Sequence, residues 1–555
     1  MAMQSKSASL RTQRLWAHLQ ELMEMAVRLV WQFAQRRWAM MIVLSVSCAG
    51  LHAAHIEQVG SRLELFADDF LVDLMKGSVR LVLHTPTARE VVLKTDAPWE
   101  GNATNYVSVF RDGNIYRMYY RGLHYLHGGS EAQSLREHPP FLCYAESDDG
   151  IHWRKPIVGL FDFGGSKKNN IILTPQAVAS IGGDPAHTAV FKDTNPSCPE
   201  DERYKMVILG QNPPGLYLLK SADGIRFSLM SSKPIVTEGA FDSQNVVFWD
   251  SVAQRYREYH RGFREGVRDI LTSAAKSVTD FPRPQWLRYT GHTAKEHLYT
   301  NAIQPYYRAP HILMGFPARY VERPWSVTIF ALPGLAQRLE RGRASTRYGT
   351  AVTDAVFMTS RDGVTFHRWG EAFIRPGPRQ RESWVYGDNY VAWGIVETKS
   401  HLEDAPNEIS LYVTEGYWEG TYTSIRRYTL RLDGFVSVSA SAAGGEIVTK
   451  PLVFSGGRLV INAETSAAGS IRVEIQDTAG HPIDGYRLDE CYEVVCDDIA
   501  YTVRWKNKGS DVRPLAGRPI RLRFVLHDAD LYAFQFAPYQ PEPQWPNVSA
   551  PRDSK

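Results

Sequence analysis

Five separate stretches of the chain set a carboxyl side chain beside Asn, His or Tyr just ahead of an apolar run. Glu100 stands in Trp99-Glu100-Gly101-Asn102, and Asp184 with His187 in GGDPAHTAVF. Asp242 opens FDSQNVVFWD with Asn245; Glu296 opens EHLYTNAI with His297, Tyr299 and Asn301. Glu382 and Asp388 flank Tyr386 in ESWVYGDNY, and Arg261, Arg268 and Asp269 follow the third stretch. Carboxyl groups gathered from distant segments suit glycoside hydrolysis. One must stay protonated to assist the leaving group, while the other attacks or activates water. Asp242 is the leading carboxylate, because Ser243, Gln244 and Asn245 give it polar neighbours. Glu296 is the leading acid, with His297 and Tyr299 to hold a proton donor, and Glu100 suits a base or a transition-state stabiliser. Asp388 and Asp269 complete the catalytic candidates. Trp99, Tyr299 and Tyr386 are candidate sugar-stacking rings; Asn102, His187, Asn245, His297 and Asn301 are candidate polar contacts. Arg268 and Arg319 suit an anionic sugar such as a uronate or a sulfated sugar, with ion pairing to Asp269 or Glu322 as the competing reading. For every acid the competing reading is a strand-end carboxylate that caps a turn.

The elements that must position these residues are strands. From residue 61 onward helical periodicity almost disappears, and short aromatic or alternating runs such as IYRMYYRG and LYLLKS are punctuated by Gly, Asp, Asn and Pro. One unit recurs: a strand, Ser-x-Asp-Gly, then an aromatic residue, at ESDDGIHW (146–153), KSADGIRF (220–227) and TSRDGVTF (359–366). Asp-Gly supplies the positive φ of a tight hairpin. The wide gap between the second and third copies predicts a degenerate copy, read at TSAAKSVTDFPRPQW (272–286), and YVTEGYWEG (412–420) reads as a fifth. A four-stranded sheet cannot bury both faces alone, and stacking neighbours in a ring does so. The expected fold class is therefore all-β: a five-bladed β-propeller over 55–436, then a β-sandwich over 437–540, where alternating strands such as GRLVINAET and IRLRFVLHDA appear. In such a ring the innermost strands converge on one end of a central channel, so the five acid-bearing stretches are expected at a common mouth. Two separate sandwiches are the competing all-β fold.

The 555 residues carry a formal net charge of +3, which gives no field for nucleic acid or an acidic membrane surface. No phosphate loop, dinucleotide fingerprint or serine nucleophile elbow is present. Residues 36–54 run from two arginines through an apolar stretch to small residues, the pattern of a secretory leader, so 1–54 is expected to export the chain, with an uncleaved anchor as the alternative. No stable membrane span is expected after cleavage, and 541–555 reads as a disordered tail. Cys491 and Cys496 are close enough for a local disulfide, with free thiols as the alternative.

The segments WEGN, ESDDGIHW, FDSQN, GVRDI, YTNAIQPYY, FIRPG and YGDNY resemble an exported bacterial group of family-32-like glycoside hydrolases. The resemblance, spread over about residues 61–540, implies the same propeller-plus-sandwich layout, a carbohydrate substrate and paired carboxylates; the propeller is shared with family 43 and related arabinan- and xylan-active families. The departures are specific. Family 32 opens with a Trp-Met-Asn-Asp-Pro-Asn-Gly motif where this chain has Trp99-Glu100-Gly101-Asn102. The Arg-Asp-Pro motif appears only as Arg268-Asp269-Ile270, and the Glu-Cys motif is absent. Fructan activity and family catalytic roles are therefore not carried over. No cofactor is called for, and a channel metal, as in some related propellers, stays open. The alternative function is a non-catalytic carbohydrate-binding propeller.

Overall fold

The computed structural model describes residues 56–126, 136–380 and 383–541. The leader, Glu382 and all of the expected tail but Pro541 lie outside these residues. The chain divides into two compact units at Glu57/Gln58, and only Ile56 and Glu57 of the first are described. The second, from Gln58 onward, is mostly β. Among the described residues no helix is long and apolar enough to cross a membrane.

Five sheets follow one another along the chain, antiparallel except that Arg288–Gly291 joins the fourth in parallel beside Thr365–Arg368. The first contains Ser108–Asp112, Ile115–Gly122, Phe141–Ser147 and Trp153–Arg154, with Ile171–Leu173 added. The second contains Asp184–Lys192, Tyr204–Gln211, Pro214–Ser221 and Ser228–Leu229, and the third Val246–Asp250, Arg255–Arg264, Val267–Ala275 and Gln285–Trp286. The fourth is built on Gln304–Tyr306, Ala309–Gly315, Met358–Ser360 and Thr365–Arg368. The fifth takes Val396–Thr398, Glu408–Glu415 and Ser424–Arg431 in order, but its outer strand is Thr87–Lys94 from the other end of the chain.

The Ser-x-Asp-Gly unit builds the same turn each time. Ser147, Ser221 and Ser360 each accept the amide of the glycine three residues on at 2.9 Å. Asp149, Asp223 and Asp362 each accept the next two amides. The glycines sit at φ +74, +75 and +78, where a Cβ is strained. Each of these glycine carbonyls accepts a tyrosine hydroxyl from a neighbouring sheet: Tyr412 to Gly150 (2.5 Å), Tyr119 to Gly224 (2.9 Å) and Tyr259 to Gly363 (2.8 Å). These bonds join sheet five to one, one to two, and three to four. Tyr256 to Asp193 joins three to two, and Tyr307 to Glu397 joins four to five, both at 2.8 Å. Contacts between consecutive sheets thus close a cycle.

The degenerate copy at 272–286 forms the equivalent connection in the third sheet. The fifth copy does not. YVTEGYWEG joins the second and third strands of its sheet, because the fourth strand is supplied by Thr87–Lys94 and needs no hairpin there.

The C-terminal residues give five strands of an eight-stranded sheet built around two long strands, Arg458–Gln476 and Arg521–Ala537, over a core that includes Trp505, Phe524 and Phe534. Glu64–Leu65, Val72–Gly77 and Arg80–Leu83 also belong to this sheet, although the sequence reading groups them with the propeller. Cys491 and Cys496 are free thiols, pushed up to about 11 by burial.

The helices Val327–Phe330, Leu335–Ala344 and Thr346–Thr350 interrupt the fourth unit, where the sequence shows no helical periodicity. Their signal is concealed because the face buried by Leu335–Ala344 carries arginines rather than an apolar stripe. Arg338 donates to the carbonyls of Ser383 and Trp384, and Arg341 pairs with Glu419 at 2.8 Å.

Candidate functional site

The starts of the inner strands meet in a cluster of tyrosines. Tyr106, just before the first inner strand, lies 5.5 Å from the His187 ring of the second sheet and 6.2 Å from Tyr390 of the fifth unit. Tyr299 of the fourth unit lies 5.8 Å from Tyr390 and 6.4 Å from Tyr386, whose hydroxyl donates to its own at 3.3 Å. Tyr320 closes on Tyr299 and Tyr386 at 6.2 and 5.8 Å. Arg121 stacks over Tyr106 at 5.1 Å. The backbone is strained here: Tyr106, Ala302 and Asn389, at comparable places ahead of three inner strands, have φ of 59, 43 and 60. Non-glycine residues in this region persist only where surrounding structure holds them, and they concentrate at functional sites.

The third sheet adds charge. Its hairpin pairs Arg261 with Ile270, Gly262 with Asp269, Phe263 with Arg268 and Arg264 with Val267. Side chains alternate across a strand, so Arg261, Phe263 and Arg268 share one face while Arg264 and Asp269 share the other. The first face meets the tyrosines: Arg261 and Arg268 lie 4.8 and 5.0 Å from the Tyr299 ring. Asp242, whose side chain is 64% exposed, pairs with Arg261. Burial raises the Tyr299 hydroxyl, but the charge of Arg261, the Tyr386 hydrogen bond and the charge of Arg268 outweigh it and hold the group below its usual range. His297 accepts from the Arg268 amide at 3.1 Å and from Nη1 at 3.3 Å; burial and the Arg268 charge keep its ring below the usual histidine value. His187 is likewise lowered by burial, although Asp184 bonds its Nδ1 at 3.0 Å.

Asp388 lies beneath this cluster. It accepts the Tyr417 amide at 2.8 Å, and the Tyr417 ring is 5.9 Å from Tyr386. Burial drives its carboxyl well above the usual carboxylate range, which favours the neutral form.

The other three candidate acids lie elsewhere. Asp269 and Glu296 line a cavity of about 220 Å³ with Arg264, Tyr289 and Arg368. Asp269 is bound by Arg264, the Tyr289 hydroxyl at 2.7 Å and the Ile270 amide at 2.8 Å. Glu296 is held by Arg319 at 3.1 Å, His292 at 3.3 Å and Arg368 at 3.6 Å. Glu100 is fully buried: it accepts Tyr120 at 2.5 Å, Lys155 at 2.6 Å and the Ala97 amide at 3.0 Å. Of the five catalytic candidates, Asp242 and Asp388 border the tyrosine cluster; of the other acids expected at a common mouth, Asp184 reaches it through His187.

The binding candidates divide similarly. His187, Arg268, His297, Tyr299 and Tyr386 are in the cluster. Asn245 and Asn301 are buried and bond backbone carbonyls around it, as a frame. Trp99 donates to Asn170 and packs on Phe163, while Asn102 is taken up by Tyr125 and Gly420. Arg319 is a node in an ion network: Asp354, gripped through Nε at 2.9 Å and Nη2 at 2.7 Å, is its partner together with Glu296, rather than Glu322. Arg268 does not pair with Asp269, since neighbours on a strand face opposite ways. Sequence reasoning missed Tyr106, Tyr320, Tyr390, Arg121 and the 56% exposed Phe263. Phe263 carried one signal, an aromatic flanked by arginines in RGFREGVR. Among the described residues no group of three His, Cys, Asp or Glu is placed to hold a metal ion.

No protein-family model matches the chain, and no curated protein matches it. Among solved structures, a glycosyl hydrolase from Bacteroides ovatus is similar at 14% identity and TM-score 0.37, over 62% of this chain and 94% of that one. The catalytic domain of a Coprinopsis cinerea GH62 alpha-L-arabinofuranosidase is similar at 6% identity and TM-score 0.38, over 63% and 99%. An N-acetylgalactosamine deacetylase from F. plautii, in complex with blood group B trisaccharide, is similar at 10% identity and TM-score 0.37, over 64% and 96%. These TM-scores are too low for an activity to be transferred.

Proposed function

We propose that this chain is an exported, family-32-like glycoside hydrolase. Its five sheets are read as the blades of a β-propeller closed by Thr87–Lys94, and its C-terminal sheet as a sandwich folded over its own core. One observation carries the enzymatic reading. Where the inner strands begin, an exposed carboxylate, Asp242, and a buried carboxyl favoured in its neutral form, Asp388, serve the same aromatic cluster. Glycoside hydrolysis needs that difference in protonation, set by environment. Asp388 is assigned the proton donor and Asp242 the nucleophile or base. Tyrosine faces supply the apolar contact that pyranose rings take up. Export rests on the leader pattern of residues 36–54.

The test is reducing-end release by the purified protein from a panel of plant and algal polysaccharides. Asp242→Asn and Asp388→Asn are each expected to lose at least about a hundredfold in rate, while Glu296→Gln keeps most of it. Hydrolysis retained in both aspartate variants overturns the site. The second reading, a carbohydrate-binding propeller, is favoured by the arginine or lysine pairing of Glu100, Asp242, Asp269 and Glu296. Binding without hydrolysis across the panel would select it.

A further inference from the structure

Among the described residues no carboxylate forms an ion pair with Arg268; the Glu322 charge reaches its neighbours His297 and Tyr320 without pairing with it. Its guanidinium lies 5.5, 5.0 and 4.9 Å from the rings of Phe263, Tyr299 and Tyr320. Its one hydrogen-bonding side chain is His297, which burial and Arg268 itself hold toward the neutral, accepting form. No carboxylate pairs with it among the described residues, and its buried Nε has no partner. Arg261, 3% exposed, stands behind it. The single carboxylate of Asp242 answers Arg261, whose Nε and Nη1 also lack partners. Of the two guanidinium groups, only Arg261 has a carboxylate partner among the described residues.

Arg261 is buried and Arg268 half-buried, so each gives up water around its charge, and stacking on rings offsets only part of that cost. The same two guanidinium groups, with the Tyr386 hydrogen bond, hold the Tyr299 hydroxyl below its usual range. Arg264 and Asp269 show the contrast: one strand face away, a similar arginine is paired. Phe263, opposite Arg268 in the hairpin and 56% exposed, offers an outward ring beside the guanidinium.

Resting on the carbohydrate reading above, we infer that Arg268, backed by Arg261 and flanked by Phe263, is an anion subsite, and that the substrate is a sugar bearing a carboxylate or a sulfate ester. A guanidinium presents parallel donors to either group, and the sugar ring lies on Phe263.

The test is calorimetric binding of the full chain to trigalacturonate, to a sulfated disaccharide and to neutral xylotriose, each at about 50 and 500 mM salt. One acidic ligand is expected to bind, to weaken as salt rises, and to lose about tenfold or more in affinity in Arg268→Gln, with partial recovery in Arg268→Lys. Preference for trigalacturonate assigns the carboxylate, and preference for the sulfated sugar assigns the ester. Binding of xylotriose alone, acidic binding indifferent to Arg268→Gln in a protein whose thermal midpoint matches wild type, or no binding by any probe overturns the inference. If Arg268→Gln unfolds, Phe263→Ala takes its place, with the same loss expected for the acidic ligand. Acidic binding without hydrolysis would remove the glycosidase reading and leave the subsite standing; hydrolysis of neutral glycans alone would do the reverse.

Discussion

The hydroxyl of Ser243 donates to the carbonyl of Tyr299 at 2.7 Å, so the residue after Asp242 grips the backbone of the central tyrosine across two sheets. Asn301, two residues on, reaches back to the Gln244 carbonyl at 3.5 Å. The third and fourth inner strands are thereby fixed to one another at the cluster. Ser243→Ala leaves the Tyr299 carbonyl without this donor and is expected to cost about 1 kcal/mol in urea unfolding. It should also weaken binding of any responsive glycan severalfold, because Tyr299 is then free to shift. An unchanged affinity would make the contact incidental to the site.

Asp388 gives a pH dependence with a definite sign. Burial raises its carboxyl in the folded chain, whereas the unfolded chain titrates near the ordinary value of about 3.9. The folded state therefore keeps a proton that the unfolded state has released. This contribution to stability is complete below the unfolded pKa and is lost as pH rises through the folded one. Asp388→Asn is expected to remove that slope, so its stability relative to wild type increases as pH rises above the ordinary carboxylate range. If Asp388 is the proton donor, hydrolysis by wild type falls as pH rises through the same titration. Parallel stability profiles for the two proteins would place its titration elsewhere.

What the sequence discloses is largely what is local. Ser147, Asp149 and Gly150 satisfy one another within a few residues, so their spacing announces the turn wherever it occurs. The outer strand of the fifth sheet is hidden, because Ile425 pairs with Leu93 from the far end of the chain. The rule of acids ahead of inner strands finds Asp242 and Asp388 but also brings in Glu100, whose partners Tyr120 and Lys155 come from other strands and loops. Strand alternation separates Arg268 from Asp269 once the hairpin register is known. The helix that buries Arg338 and Arg341 has no apolar stripe to reveal it.

The closed cycle of sheets predicts matched responses at three distant positions. Tyr412, Tyr119 and Tyr259 each cap a turn glycine in the next sheet, and their rings are buried. Phe at each position keeps the ring and removes the hydroxyl, leaving a glycine carbonyl short of a donor. Each variant is expected to lose about 1–2 kcal/mol, and the losses should add, since no two share a partner. Urea midpoints of the single and triple variants measure this. A neutral result at all three would mean that the turns are not held from the neighbouring sheet.

Glu100 separates a structural carboxylate from a catalytic one. It is fully buried, with Lys155 and Tyr120 on its two oxygens, and Lys155 also reaches Asp96 at 3.0 Å and the Lys94 carbonyl at 2.6 Å. Lys94 ends the strand that completes the fifth sheet, so Glu100 anchors the ammonium group that ties the first unit to that closing strand. Glu100→Gln leaves Lys155 with only the exposed Asp96 as counter-charge and is expected to destabilise the fold by about 1–2 kcal/mol. The folded variant should keep the wild-type rate and affinity on any responsive glycan, because the acid is enclosed away from the tyrosine cluster. Urea unfolding and kcat measured well below the unfolding midpoint separate the two effects. A variant of wild-type stability that has lost its turnover would return Glu100 to the chemistry and displace Asp388 from it.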